Sequence, residues 1–408
     1  MLGAIIGDIV GSPFEFDHNN IKTKIFPMFS NRSYVTDDTI MSLAVAEGII
    51  NAWNNENYKD ELIKSMQKLG IMYPNAGYGA RFNNWIYEKE PKPYNSFGNG
   101  SAMRVSSVAW LFNSLDDVMK YTRISAEITH NHPEGIKGAQ ATAAAIFFAR
   151  QGADKKIIRN YISDNFEYNL NRTCDEIRPY YHHVESCQET VPEAIIAFLE
   201  GNDFEDCIRN AVSLGGDSDT LTAITGSIAE AYYGIPEEII KQALFYLDDE
   251  QRKILKRYRE FLSSIRKHRI ELWNNLKITL PFFSAKCNTT WHTPPKSEEG
   301  VFYFAHPSYG KEVILLEEIA QSQEFTVVSY HEIIELFGYG NNFENNPEII
   351  RNINSPFILR AMLTYIVRHE RFCDGAIATC IKNGVIYEII NRLGECFELP
   401  PIKHHKNI

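Results

Sequence analysis

Two short acidic stretches carry the strongest chemical signal in this 408-residue chain: Thr36-Asp37-Asp38-Thr39 and, far downstream, Gly215-Gly216-Asp217-Ser218-Asp219-Thr220. Each stands directly ahead of an apolar run. Asp and Thr cap helices and complement the helix dipole, but one Asp suffices for that. A second carboxylate crowds two negative charges, which a bound cation relieves. The first motif by itself leaves capping and metal binding open. In the second, Asp217 and Asp219 do not share a helical face, so they converge only in a turn before the helix. The preceding glycines permit that turn. An EF-hand loop is excluded, because its fifth and twelfth positions would be Leu221 and Ile228 where oxygen ligands are needed. Brought together, the two turns would supply four carboxylates and several hydroxyls. Such hard donors suit Mg²⁺, Mn²⁺ or Ca²⁺ rather than zinc, and their charge matches two divalent ions.

Three further groups have weaker readings. Glu15 follows Gly11-Ser12-Pro13-Phe14, where Pro13 is expected to end a first helix and leave Glu15 in a loop. A carboxylate between Phe14 and Phe16 is either a solvent-exposed loop residue or an acid/base with a raised pKa. The segment Ser96-Phe97-Gly98-Asn99-Gly100 can present backbone N–H groups to a phosphate or form a plain turn, and it is neither a Walker A loop nor a dinucleotide fingerprint. In Thr129-His130-Asn131-His132, no third zinc ligand lies at a useful spacing, so His130 reads as a hydrogen-bonding or phosphate-contacting residue.

These groups must be held by helices. Residues 39–50 are apolar nearly all round, as in a buried helix. Residues 134–150 are rich in small residues, and in 221–233 apolar positions recur at three- and four-residue steps. Gly3, Gly7 and Gly11 fall on one face of a first helix, which implies tight packing. Convincing strand alternation is scarce before residue 265. The expectation is therefore an all-α domain over residues 1–265, followed by a small mixed α/β domain over 266–408. In the latter, residues 290–300 read as a loop. Residues 301–304, 312–316 and 325–328 read as short strands, and 330–337, 355–369 and 385–393 as helices. Around His369, Glu370, Arg371, Cys373 and Asp374 the expected structure is a helix end with a satisfied salt bridge.

Composition limits the partners. With 41 basic and 52 acidic residues the net charge is −11, which argues against a nucleic-acid backbone as a generic partner. The apolar runs fall short of the ~20 residues that span a bilayer. Seven cysteines without a C-x-x-C pair read as reduced thiols in a cytoplasmic compartment.

In order, GDIVGSPFEF, TDDT, SFGNGSAMR, THNHPEGIKGAQATA and SLGGDSDT resemble the ADP-ribosylglycohydrolase family, which includes dinitrogenase-reductase-activating glycohydrolases. The resemblance covers roughly residues 1–265 and implies an all-α bundle around two Mg²⁺ ions, with Mn²⁺ an alternative. By motif, Thr36, Asp37, Asp38, Asp217, Asp219 and Thr220 would be metal ligands. Glu15 would gate the site or act as its acid/base, with Asp38 and Asp219 as catalytic partners. Ser96, Phe97, Gly98, Asn99 and Gly100 would hold a diphosphate, and His130 would contact the same part of the ligand. The implied reaction is Mg²⁺-dependent cleavage of the N- or O-glycosidic bond of an ADP-ribosylated protein or a small ADP-ribose conjugate. A hydrolase of a nucleoside-like metabolite and a non-catalytic ADP-ribose reader are the rival expectations. The closing segment resembles a small uncharacterised domain appended to such hydrolases, for which a partner-binding or specificity role is expected.

Overall fold

The computed structural model describes residues 1–284, 290–292, 306–322 and 324–398. The chain divides into two compact units, the first comprising Met1–Ser264 and the second beginning at Ile265. Among the described residues, the regular elements of the first unit are all helical.

Helix α1 (Leu2–Gly11) is buried over nearly its whole length. Helix α2 (Asp37–Ala52) starts at Thr36, whose side chain accepts a hydrogen bond from Asp38 N. The four-residue α3 (Gly100–Met103) and then α4 (Pro133–Arg150) follow. At the start of α4, His132 Nδ1 accepts from Glu134 N at 3.1 Å and Pro133 takes the first helical position. There the missing N–H of proline costs nothing. Helices α5 (Cys187–Glu200), α6 (Phe204–Leu214) and α7 (Ser218–Tyr233) complete the set that builds the site.

Helix α7 is the axle of the first unit, with Ser218 through Ala231 all buried. Its closest partner is α1, and the glycine face is the reason. A Cβ on Gly3 would lie 2.1 Å from Gly226 O, one on Gly7 2.2 Å from Thr222 O, and one on Gly11 2.4 Å from Ser218 O. No side chain fits in those gaps, so the two backbones touch along about two turns. The pairing of 3 with 226, 7 with 222 and 11 with 218 makes the helices antiparallel. The C-terminal end of α1 therefore stands beside the N-terminal end of α7. After Gly11 the chain makes one 3₁₀ turn, Ser12–Phe14, which contains Pro13 and delivers Glu15 at its end.

The joint between α6 and α7 depends on two glycines in the left-handed region. Gly215 has φ +79° and Gly216 φ +75°. A Cβ on either would strike Asn20 Oδ1 or the Tyr181 ring at 2.5 Å. The turn permitted by these residues is thus a turn that requires them.

The second unit is more helical than its sequence pattern suggests. Residues 290–292 (β1, Thr290–His292) pair antiparallel with β2 (His306–Ser308), where a loop was expected over 290–300. The strand expected over 312–316 is instead part of helix α8 (Lys311–Gln321). Val313, Leu316, Ile319 and Ala320 are buried at helical spacing, a rhythm that a five-residue window is too short to reveal. Residues 325–328 form no strand either. Phe325 and Val327 are buried anchors two positions apart, and Thr326 Oγ1 donates to Ala320 O at 2.9 Å in place of a neighbouring strand. The strand expected over 301–304 lies outside the described residues. The three expected helices appear as α9 (Tyr330–Leu336), α10 (Pro356–His369) and, after α11 (Ala376–Lys382), α12 (Val385–Glu398). At the polar cluster, Glu370 accepts from Tyr309 Oη, Gly375 N and Ile377 N at 2.7–2.8 Å, and His369 faces Glu344 at 3.0 Å. Helix α10 ends there as expected, but Glu370 is satisfied by a phenol and by backbone N–H groups at the start of α11 where a salt bridge was expected.

Replacing Gly7 with Ala should force α1 and α7 apart, because the new methyl meets backbone rather than a yielding side chain. We expect a loss of about 1–3 kcal/mol or more in urea unfolding, the usual cost of overpacking, whereas Gly79→Ala, with open space around it, should not share that steric loss.

Candidate metal centre

The antiparallel contact of α1 with α7 places Asp8 under the start of α2. Asp8 is fully buried and accepts from Thr36 N at 3.1 Å, Thr36 Oγ1 at 2.7 Å, Thr39 N at 3.2 Å and the Thr39 hydroxyl. These donors fill the carboxylate and tie α1 to the Thr-Asp-Asp-Thr turn. Burial, then the charge of Asp219, push its carboxyl up to about 7, against the opposing pull of those hydrogen bonds. Thr36 Oγ1 donates to Asp8 and accepts from Asp38 N, which leaves it one lone pair for another partner.

The two acidic corners meet. Thr220 Oγ1, in the first turn of α7, donates to Asp38 Oδ2 at 3.1 Å. Asn99 Nδ2 donates to Asp217 Oδ2 at 2.7 Å. Carboxylate oxygens of Glu15, Asp217 and Asp219 all lie within 4.8 Å of one another. Asp38, Asp217 and Asp219 are 2%, 6% and 3% exposed, and Asp37 is half-buried. Burial first, and the charge of Asp219 second, hold Asp37, Asp38 and Asp217 well above the usual carboxylate range. Asp38 Oδ1 is buried without any hydrogen-bond partner. An orphaned carboxylate oxygen among like charges is what a hard divalent cation would satisfy, and the donor set is all oxygen. The residues present therefore fit a metal.

Glu15 is held at the rim of this cluster by a loop that Asn20 staples down. Asn20 Nδ2 donates to Phe14 O at 2.7 Å and Phe16 O at 2.9 Å, while its Oδ1 accepts from Gly216 N at 2.6 Å. Ser218 Oγ donates to Phe14 O at 3.1 Å and Arg32 donates to Pro13 O at 2.8 Å. Partial burial, then the charges of Asp219, Asp8 and Glu185, push the Glu15 carboxyl up to about 8. The exposed-loop reading of Glu15 is overturned by this half-buried position beside Asp217 and Asp219.

Residues 96–100 reach the same cluster through Asn99. Their course is fixed by an antiparallel bridge of Gly98 with Ser186, in which Asn99 N donates to Glu185 O at 2.7 Å and Cys187 N to Phe97 O at 2.9 Å. Ser96 Oγ accepts from Gly98 N at 3.1 Å, and Phe97 is 49% exposed. His130 is buried beneath the loop, its Nε2 3.5 Å and 3.4 Å from where side chains on Gly98 and Gly100 would begin. Its Nδ1 meets Thr129 Oγ1 at 2.7 Å. Burial, and Arg104 behind it, hold the imidazole well below its usual pKa and hence neutral. His132 caps α4 and points away from a zinc role.

The expected residues thus gather in one region. Asp8 and Asn20 were missed. Asp8 had a signal, a lone carboxylate in the apolar run LGAIIGDIVG; Asn20, a loop residue acting only through tertiary contacts, had none.

Residues 1–268 match the family model described as ADP-ribosylglycohydrolase, and residues 268–398 match a family of unknown function, DUF6508. The chain belongs to the ADP-ribosylglycohydrolase family, a class of glycosidase-type hydrolases. It is 26% identical over 312 residues to human ADP-ribosylhydrolase ARH3, covering 58% of this chain and 85% of the human protein. An uncharacterized protein of Archaeoglobus fulgidus is 28% identical over 267 residues, with 58% and 88% covered. ADP-ribosylarginine hydrolase Tri1 of Pseudomonas putida is 27% identical over 278 residues, with 60% and 73% covered.

The raised carboxyls fix the sign of a pH effect. A group that binds its proton more tightly when folded stabilises the fold below its unfolded pKa, and that stability is lost as pH rises through the folded value. With Asp8 at about 7 and Glu15 at about 8, the melting temperature of the metal-free protein should fall between pH 5 and pH 8. Saturating Mg²⁺ should flatten the profile, which differential scanning calorimetry measures directly.

Proposed function

We propose that this protein is a Mg²⁺-dependent hydrolase that releases ADP-ribose from a conjugate by cleaving the N- or O-glycosidic bond at the anomeric carbon. The observation that carries this reading is the convergence of two acidic turns on the unpartnered Asp38 oxygen, in a chain of this family. Asp37, Asp38, Asp217 and Asp219, with Thr36 and Thr220, would hold two Mg²⁺ or Mn²⁺ ions. When bound, these would neutralise the carboxylates and act as Lewis acids toward ribose and water oxygens.

The chain's own groups divide the remaining work. Glu15, at the rim of the cluster beside Asp217 and Asp219, can pass a proton to the departing group or take one from the attacking water. Asn99 orients Asp217 by donating to one oxygen. Residues 96–100 and neutral His130 position the diphosphate, a role supported by the glycine backbone facing the imidazole. Asp8 keeps the first acidic turn in place through Thr36 and Thr39. We assign this chemistry to residues 1–265, and a partner or specificity role to 266–408. The same reading sets the protein in the cytoplasm, which the unpaired, buried thiols of Cys174, Cys187 and Cys207 support.

Asp38→Ala and Asp219→Ala should each abolish multiple-turnover release of ADP-ribose while leaving the helical circular dichroism intact. Full activity of Asp219→Ala in metal-stripped buffer overturns the reading. Glu15→Gln should lower kcat by about 10²–10⁴-fold, the range for loss of a general acid or base. Parallel assays with arginine-linked and serine-linked conjugates identify the leaving group.

A further inference from the structure

On the segment that packs against Asp37, one tyrosine hydroxyl is buried without an acceptor. Tyr78 lies in the connection at residues 73–79, which follows the helix Tyr58–Met72. Its ring is half-buried and tilted against Phe82 at 5.4 Å between centroids. Its Oη is shielded from solvent and meets no hydrogen-bond partner. Leaving such a group unpaired is costly, so its presence needs an explanation.

The same segment is pinned against Asp37. Asp37 N donates to Ala76 O at 2.8 Å. Gly77, at φ +104°, stands so close that a Cβ there would lie 3.4 Å from Asp37 Oδ1. The Asp37 carboxylate is also the strongest charge acting on the Tyr78 phenol. Asp8, Asp38 and Asp217 each receive a side-chain donor, from Thr36, Thr220 and Asn99 respectively. Among the described residues no side-chain donor reaches the Asp37 carboxylate. The segment pinned to Asp37 thus carries a donor without an acceptor, and Asp37 is an acceptor without a side-chain donor.

We propose that Tyr78 is a positioning residue of the metal centre, its hydroxyl donating to one oxygen of Asp37 when the other oxygen turns to a divalent cation. The inference rests on Asp37 being a metal ligand. Ligating carboxylates are themselves fixed by hydrogen bonds, and removing such an outer partner weakens metal binding about 10–100-fold. A phenol suits the place because it donates without adding charge to a site balanced between carboxylates and cations.

The test is calorimetric titration of the metal-stripped full chain with Mn²⁺, comparing the parent with Tyr78→Phe. The Mn²⁺ Kd should rise about tenfold or more, while the melting temperature of the metal-free variant stays level or rises, since only an unpartnered hydroxyl has gone. In an Asp37→Asn background the same substitution should leave the remaining Mn²⁺ affinity where it was. An unchanged Kd overturns the proposal. So does a lower metal-free melting temperature, which would mean that the hydroxyl already has a structural partner. Further weakening in the Asp37→Asn background overturns it as well, because the hydroxyl would then act elsewhere. A parent protein that binds no Mn²⁺ sinks both this inference and the proposed function, whereas a parent that binds and a Tyr78→Phe variant that matches it sink the tyrosine's role alone.

Discussion

Carboxylates repel one another, and burying several of them side by side is the constraint around which the first unit is organised. In water the mutual cost is small; in a desolvated pocket it becomes several kcal/mol for each unrelieved pair. Asp8, Asp38, Asp217 and Asp219 are nevertheless all buried within one cluster. The protein answers the repulsion in three ways. Hydroxyl and amide donors from Thr36 and Thr39 serve Asp8, the Asp38 carboxyl is driven above its usual range by burial and by Asp219, and one oxygen of Asp38 is left open. The first two are sufficient for folding. The third leaves lone pairs that a hard cation could take.

The scaffold exists to impose that crowding. Two helix starts are brought together by a third helix, α1, that contributes almost no side-chain volume to the contact. Its glycines let α7 approach until backbones touch, and its single carboxylate reaches across to the turn before α2. The glycine pair at 215 and 216 then turns the chain sharply enough for Asp217 and Asp219 to face the same space. Precision at the site thus comes from backbone geometry, which is stiffer than any side-chain arrangement.

Much of this was legible in the sequence, and the limits have physical causes. The helices at 37–52, 133–150 and 218–233 announced themselves by three signals, an all-round apolar run at 39–50, a run of small residues at 134–150, and apolar positions at three- and four-residue steps in 221–233. The acidic turns were legible because charge at the mouth of an apolar run is rare and cannot be read as surface. Glu15 was legible only through the family resemblance, since its loop is held in place by the tertiary contact of Asn20 with Gly216. Tyr78 and Asn20 act through contacts that no local pattern encodes. In the tail, four- and five-residue apolar windows were mistaken for strands, because at that length strand and helix periods cannot be separated.

The pairing of residue 3 with residue 226 has a consequence for how the molecule comes into being. Contacts between such distant positions close slowly, and during synthesis the first helix emerges long before its partner. At about 5–20 residues per second on the ribosome, the apolar segment LGAIIGDIVG waits on the order of ten seconds or more for α7 to appear. Over that interval the glycine face of α1 has no α7 to pack against. The acidic pocket, closed by the same contact, is accordingly among the last features of its unit to mature.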